Sequence, residues 1–242
     1  MRLFRDTPES VLAIYAHPDD ADVAAGGALA RWARDGATVD LIIVSDGVRG
    51  SHDPAVNVDT LRQQRANELA RAGEILGLHS VRCLQVGDGE VENSEELRSE
   101  LVGAIRRHRP HTVVGPDPTA IFFGGVYVNH RDHRELGWAL LDAAAPAAAM
   151  PLYFPDRGAA HQVTTLLLSG THEPDVVVDI TATIDDKVAA VLAHASQVSD
   201  DAAWVRSVVL GRAEPVGRDV NVDRKSTRLN SSHRCISYAV FC

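Results

Sequence analysis

The chain has 242 residues, 45% of them apolar, enough for one α/β domain with a sizeable core. A formal net charge of -9 argues against a general nucleic-acid binder, and no segment is apolar over a membrane-spanning length. Cys83, Cys235 and Cys242 form no CxxC pair or disulfide framework, and Met1 to Ser10 is charged and carries Pro8 rather than a leader's apolar run, so the expected location is cytoplasmic.

In chain order, Val11 to Ala16 reads as a buried strand. The loop Ala16-His17-Pro18-Asp19-Asp20 follows, then a helix from about Asp22 to Arg34 ended by Gly36. Val39 to Val44 predicts a second strand and Ser45 to Pro54 its polar exit loop. Leu61, Leu69, Ala72 and Leu76 share a face, predicting a helix over Asp59 to Leu76 closed by Gly77, with Arg65 and Glu68 as a surface ion pair. Val81 to Val86 is a third strand, leaving through Gly87-Asp88-Gly89. Asn93 and Glu96 resemble a capping box ahead of the Leu97, Leu101, Ile105 stripe, which stops before Pro110.

Thr112 to Gly115 is a short strand, and Pro116 to Val128 a long loop of the kind that often carries function. A helix follows from about Asp132 to Ala145, then a linker between Pro146 and Pro151. Leu152 to Phe154, Thr164 to Ser169 and Val176 to Ile180 read as short strands. Helices over Ile184 to Ala195, with Thr183 as cap, and Ala202 to Leu210 complete the pattern. The expected fold is Rossmann-like α/β, a mainly parallel sheet flanked by helices, in a single catalytic domain over residues 1–222. From about Asp223 the composition becomes polar and aperiodic, and residues 223–242 read as an appended, non-native tail. Cys235, Cys242 and His233 are therefore left out of the functional reading.

Such a sheet brings the strand exits to one edge, where open α/β sheets hold ligands. His17, Asp46, Asp88 and His133 can converge there. Pro18 fixes its own φ and holds His17 extended, giving the stiff loop that a metal site needs. Taken alone, Asp20 or Asp22 reads as a helix cap and His130-x-x-His133 as a surface pair. Together the two clusters supply a two-His, one-Asp ligand set, His17, Asp20 and His133, suited to Zn2+ with an open position, or to another divalent ion such as Fe2+. Asp19 is the free neighbour and candidate general base. His130 would stabilise an oxyanion or act as an acid, and Asp132 would hold either the His130 ring or a ligand ring.

Ala16-His17-Pro18-Asp19-Asp20 followed by Gly26-Gly27 resembles the signature of the PIG-L or LmbE-like deacetylases. The second block with His130 and His133, Arg65-x-x-Glu68, and Ala193-His194-Ala195-Ser196-Gln197 resemble that family in order. The resemblance covers about Val11 to Gln197. It implies zinc-dependent removal of an N-acetyl group from an amino sugar or sugar conjugate. It implies metal binding at His17, Asp20 and His133, a base at Asp19, transition-state assistance from His130, and substrate contacts at Arg65 and Asp88. Asp46 joins the substrate set by its place at a strand exit. Ala21 stands where an acidic residue is common, and Arg131 where Pro is common. The expected partner is a small N-acylated sugar-like substrate, with no nucleic acid and no membrane; homo-oligomerisation is left open. The alternatives are a thiol-conjugate amidase on the same fold, a non-haem iron oxygenase and a non-catalytic sugar-binding module.

Overall fold

The computed structural model describes residues 1–123, 127–198, 201–219 and 226–232. Its elements are β1 (Arg2–Leu3), β2 (Ser10–Tyr15), α1 (Asp20–Ala24), α2 (Gly26–Arg34), β3 (Thr38–Ser45), α3 (Val58–Leu76), β4 (Ser80–Val86), α4 (Glu95–His108) and β5 (Thr112–Pro116). There follow β6 (Phe122–Phe123), β7 (Tyr127–Val128), α5 (Arg131–Asp142), β8 (Thr165–Ser169), β9 (Val176–Asp179), α6 (Ile184–Ala193), α7 (Ala202–Asp219) and β10 (Ser226–Ser232).

Eight strands form one sheet in the order β1-β9-β10-β8-β5-β2-β3-β4, and β6 and β7 make a separate hairpin. The run β8-β5-β2-β3-β4 is parallel throughout, as the strand–helix alternation predicts. β2 starts the run at its centre: the chain moves outward to β3 and β4, then returns to β5 on the other side. The crevice between the carboxyl ends of β2 and β5 is therefore the topological switch point. Val11, Ala13 and Tyr15 feed one apolar cluster, Leu12, Ile14 and Ala16 the other, so β2 is buried on both faces.

The long α3 matches its sequence signals. Asn57 caps it by accepting from the Thr60 N–H at 2.9 Å, and Gly77 takes the left-handed conformation (φ 70°) that ends it. Other expectations need correcting. Arg65 and Glu68 are buried, not a surface pair: Arg65 bonds Asp19, while Glu68 accepts from the Ser196 N–H and hydroxyl at 2.9 and 2.6 Å. The α4 cap is Ser94, whose Oγ accepts from the Leu97 N–H at 3.2 Å; Asn93 instead turns its amide to Asp142. The first predicted helix is two, divided at Ala25 just ahead of Gly26-Gly27, and Ile180 packs where a Cβ on Gly27 would sit. Thr183 occupies the α6 cap position, but its hydroxyl donates to the Gly27 carbonyl at 2.7 Å.

Leu152 to Phe154 is not a strand. Arg106, 4% exposed, donates to six backbone carbonyls: Ala147, Ala148, Met150, Tyr153, Phe154 and Gly158. Those carbonyls curl around one guanidinium and are lost to a sheet ladder. The sequence pattern missed β1 and the short hairpin inside the 116–128 loop. Ser226–Ser232, within the segment read as appended, forms β10, antiparallel between β8 and β9. His233, Cys235 and Cys242 lie outside the described residues.

Candidate metal centre

His17 leaves the end of β2, Asp20 opens α1, and His133 stands on the first turn of α5. His17 Nδ1, Asp20 Oδ2 and His133 Nε2 form a triangle with edges of 3.2, 3.1 and 3.1 Å. Ligands of a tetrahedral zinc with bonds of about 2.0–2.1 Å stand about 3.3 Å apart, so the donor set fits such an ion.

The proton positions fit too. Asn129 donates its amide N–H to the Ala120 carbonyl at 2.8 Å, which fixes its oxygen toward His133 Nδ1 at 2.9 Å. Nδ1 then carries the proton, and the Nε2 lone pair faces the triangle. On His17 the sense is reversed. Its Nε2 faces Asp88 Oδ1 at 3.2 Å and Asp132 Oδ2 at 3.4 Å, leaving Nδ1 as the ligand atom. Asp132 is fully buried and accepts from the Gly89 N–H at 2.7 Å; Asp88 accepts from the Arg49 N–H at 2.8 Å. In a second grouping, His17, His130 and Asp132, His17 Nε2 stands 3.4 Å from Asp132 Oδ2 and His130 Nδ1 4.0 Å from Asp132 Oδ1, so the tighter triangle is the better site.

Burial opposes charge on His17, but the carboxylates of Asp132, Asp20 and Asp88 outweigh it and push its pKa up to about 12. Burial likewise works against the Asp20 anion, yet His133 and His17 hold its carboxyl far below the usual range. Asp88 and Asp132 are also lowered, against their own burial, chiefly by His17. The centre is thus a cluster of anions around shared protons, a place a divalent cation can take over.

Asp19 points elsewhere, as expected for a non-ligand. Its Oδ1 accepts from Arg65 Nη2 at 3.0 Å, and its side chain stays 27% exposed. Arg65 also donates to the Gly47 carbonyl; Gly47 has φ 66°, and a Cβ there would collide with the guanidinium. Beside the triangle lies a cleft of about 650 Å³, lined in part by Asp19, Asp20, His133, Phe123, Tyr127 and Arg212. His130 sits next to both ligand rings, its centroid 4.9 Å from that of His17 and 5.6 Å from that of His133. Its Nδ1 accepts from the Asp132 N–H at 3.2 Å, so its proton is on Nε2. Burial, followed by the charge of His17, lowers its pKa and keeps it neutral at pH 7.

Of the residues expected at the site, His17, Asp19, Asp20, Asp88, His130, Asp132 and His133 come together, and Arg65 reaches them through Asp19. Asp46 is not brought to the triangle; it pairs with Arg62 at 3.0 Å. Sequence reasoning missed Asn129, although its place one helical turn before His133 is a readable signal. It also missed the buried pair of His194 Nε2 and Asp22 Oδ2, 2.7 Å apart, which ties α1 to α6.

A Rossmann-like sheet with this donor triangle at its switch point defines an α/β protein with a candidate metal centre. The sequence profile described as PIG-L, GlcNAc-PI de-N-acetylase, matches residues 12–144, and the chain belongs to that family. It is 33% identical to the diacetylchitobiose deacetylase of Thermococcus kodakarensis over 80% of this chain and 72% of that one. It is 27% identical to a 1D-myo-inositol 2-acetamido-2-deoxy-alpha-D-glucopyranoside deacetylase of Kineococcus radiotolerans, over 81% and 71%. The structure of N,N'-diacetylchitobiose deacetylase from Pyrococcus horikoshii superposes with a TM-score of 0.81 at 26% identity, covering 93% and 84%. A 4-carboxy-2-hydroxymuconate hydratase from Pseudomonas putida, 22% identical, shares the fold with a TM-score of 0.77 over 96% of this chain and 100% of that one. The fold alone therefore does not decide the chemistry. Among the described residues no helix is long and apolar enough to cross a membrane.

Proposed function

We propose that the chain hydrolyses the acetamide of an N-acetylated amino-sugar compound, releasing acetate and a free amine, with zinc as its resident ion. The observation that carries this reading is the pairing of a two-His, one-Asp triangle with an adjacent carboxylate, Asp19, that binds no part of it. The deacetylase relatives support the substrate class. His17, Asp20 and His133 would hold the ion, which when bound polarises a carbonyl and acidifies water.

The remaining steps belong to the protein. Arg65 fixes one oxygen of Asp19, whose side chain lines the cleft; the carboxylate takes a proton from the attacking water. The same carboxyl returns that proton to the departing nitrogen. His130, neutral with its proton on Nε2, donates to the carbonyl oxygen as negative charge gathers there. Asp132 and Asp88 keep His17 turned with Nδ1 toward the ion, and Asn129 does the equivalent for His133.

The test is metal analysis together with amine release from N,N'-diacetylchitobiose and from an inositol glycoside of N-acetylglucosamine. The expected outcome is one zinc per chain and turnover. His17→Ala should lose the ion; Asp19→Asn should keep it and lose about 10²–10⁴ in kcat. Zinc-loaded protein that releases no amine from any N-acetylated sugar would sink the reading.

A further inference from the structure

The cleft continues past the metal triangle. Val23, Ala24, Gly170 and Arg212 line it and also line a second hollow of about 510 Å³. This groove runs among α1, α6, α7 and β10, and its walls are largely valine, with Trp204 beside them. Its volume is that of a small-molecule site.

The charge in the groove is one-sided. Among its described lining residues the charged ones are Lys187 and Arg212, in a chain of formal net charge -9. Lys187 is 8% exposed, and its Nζ donates to the Val23 carbonyl at 2.8 Å. An ammonium has three donors, and the described residues engage one. Asp22 acts on it through space: its Oδ2 pairs with His194, and its buried Oδ1 has no hydrogen-bond partner among the described residues. Burial, with Arg212 adding like charge, presses the Lys187 pKa down to about 8. A buried cation with spare donors, a second cation at the junction with the cleft, and an apolar wall together match an amphiphilic anion.

We propose that the groove binds the apolar, anionic portion of the N-acetylated substrate, an alkyl or aryl body bearing one oxyanion that lies between Arg212 and Lys187. The assignment to the substrate rests on the hydrolase reading above; binding in the groove does not.

Trp204, 55% exposed on the groove, is a built-in reporter. Octanoate and octan-1-ol, equal in chain length and different in charge, are titrated against tryptophan emission of the full chain, with Trp204→Phe identifying the signal. Octanoate should give a saturable change lost in Trp204→Phe, and octanol should bind at least tenfold more weakly. Arg212→Gln should weaken octanoate at least tenfold, and Val208→Phe, which fills the groove from a half-buried position, should abolish binding while the far-ultraviolet spectrum stays native. No Trp204 response, equal binding of octanol, or full-strength binding by Arg212→Gln overturns the groove.

In the kinetic arm, an N-acetylglucosaminide with a carboxyalkyl aglycone should show a kcat/KM at least tenfold above its methyl ester. That ratio should fall toward one in Arg212→Gln. Octanoate binding with a ratio of one in the parent overturns the assignment to the substrate. Octanoate binding by a chain inactive on every N-acetylated sugar overturns the hydrolase reading and supports the groove. Turnover without octanoate binding does the reverse.

Discussion

At His17 the two edges of one imidazole face opposite environments, the donor triangle on one side and Asp88 with Asp132 on the other. The same division recurs at His133, where Asn129 holds the far nitrogen. Because Asn129 is itself fixed by the Ala120 carbonyl, it is an orienting group with little freedom of its own. Asn129→Ala should weaken zinc by about 10–100-fold in a chelator competition, and should also lower the melting temperature of the metal-free chain, because the buried Ala120 carbonyl loses its amide partner. Affinity equal to the parent's would remove Asn129 from the centre. The proposed ligands were legible in the sequence because each cluster is contiguous: five residues hold His17 and Asp20, and five hold His130 and His133. Arg65 was misread for the opposite reason. Helical spacing paired it with Glu68, whereas their partners come from the Asp19 loop and from Ser196, far along the chain.

Among the elements, the parallel strands were readable because a strand buried on both faces carries a continuous apolar run, Val11 to Tyr15 in β2 and Leu41 to Val44 in β3. The strand expected at Leu152 to Phe154 had the right composition, but the carbonyls of Tyr153 and Phe154 accept from Arg106, a long-range fact that no local pattern carries. The close seating of α5 on β5 was equally invisible. A Cβ on Gly115 would run into Leu140 and stand 3.0 Å from the Ile14 carbonyl. The obstacle includes backbone of the central strand, which cannot step aside as a side-chain tip can. Gly115→Ala should therefore destabilise by about 1–3 kcal/mol, read as a lower urea midpoint at unchanged slope. An unchanged midpoint would mean that the helix shifts freely over the sheet.

At the scale of the whole sheet, among the described residues β1 and β9 connect to the parallel strands through β10, whose Leu229 pairs with Ser169 on one side and Val176 on the other. Leu229 is fully buried, yet the segment around it is polar and aperiodic, which is why the sequence pointed away from the sheet. A chain cut after Val222 should lose about 2 kcal/mol or more, melting about 4–8 °C lower, because two strand edges lose their partner. A melt unchanged by the cut would show that residues 223–242 add nothing to the fold, as expected of an appended segment. The Arg106 collar bears on a different hazard. Leu152 is 91% exposed and Tyr153 50%, which advertises a cleavage point to a chymotrypsin-like protease. Such enzymes bind a stretch of extended backbone, and here the carbonyls of Met150, Tyr153 and Phe154 are turned inward. The native chain should withstand nicking at this tip, while Arg106→Ala should be clipped there quickly; one guanidinium thus shields an exposed peptide from digestion without covering it.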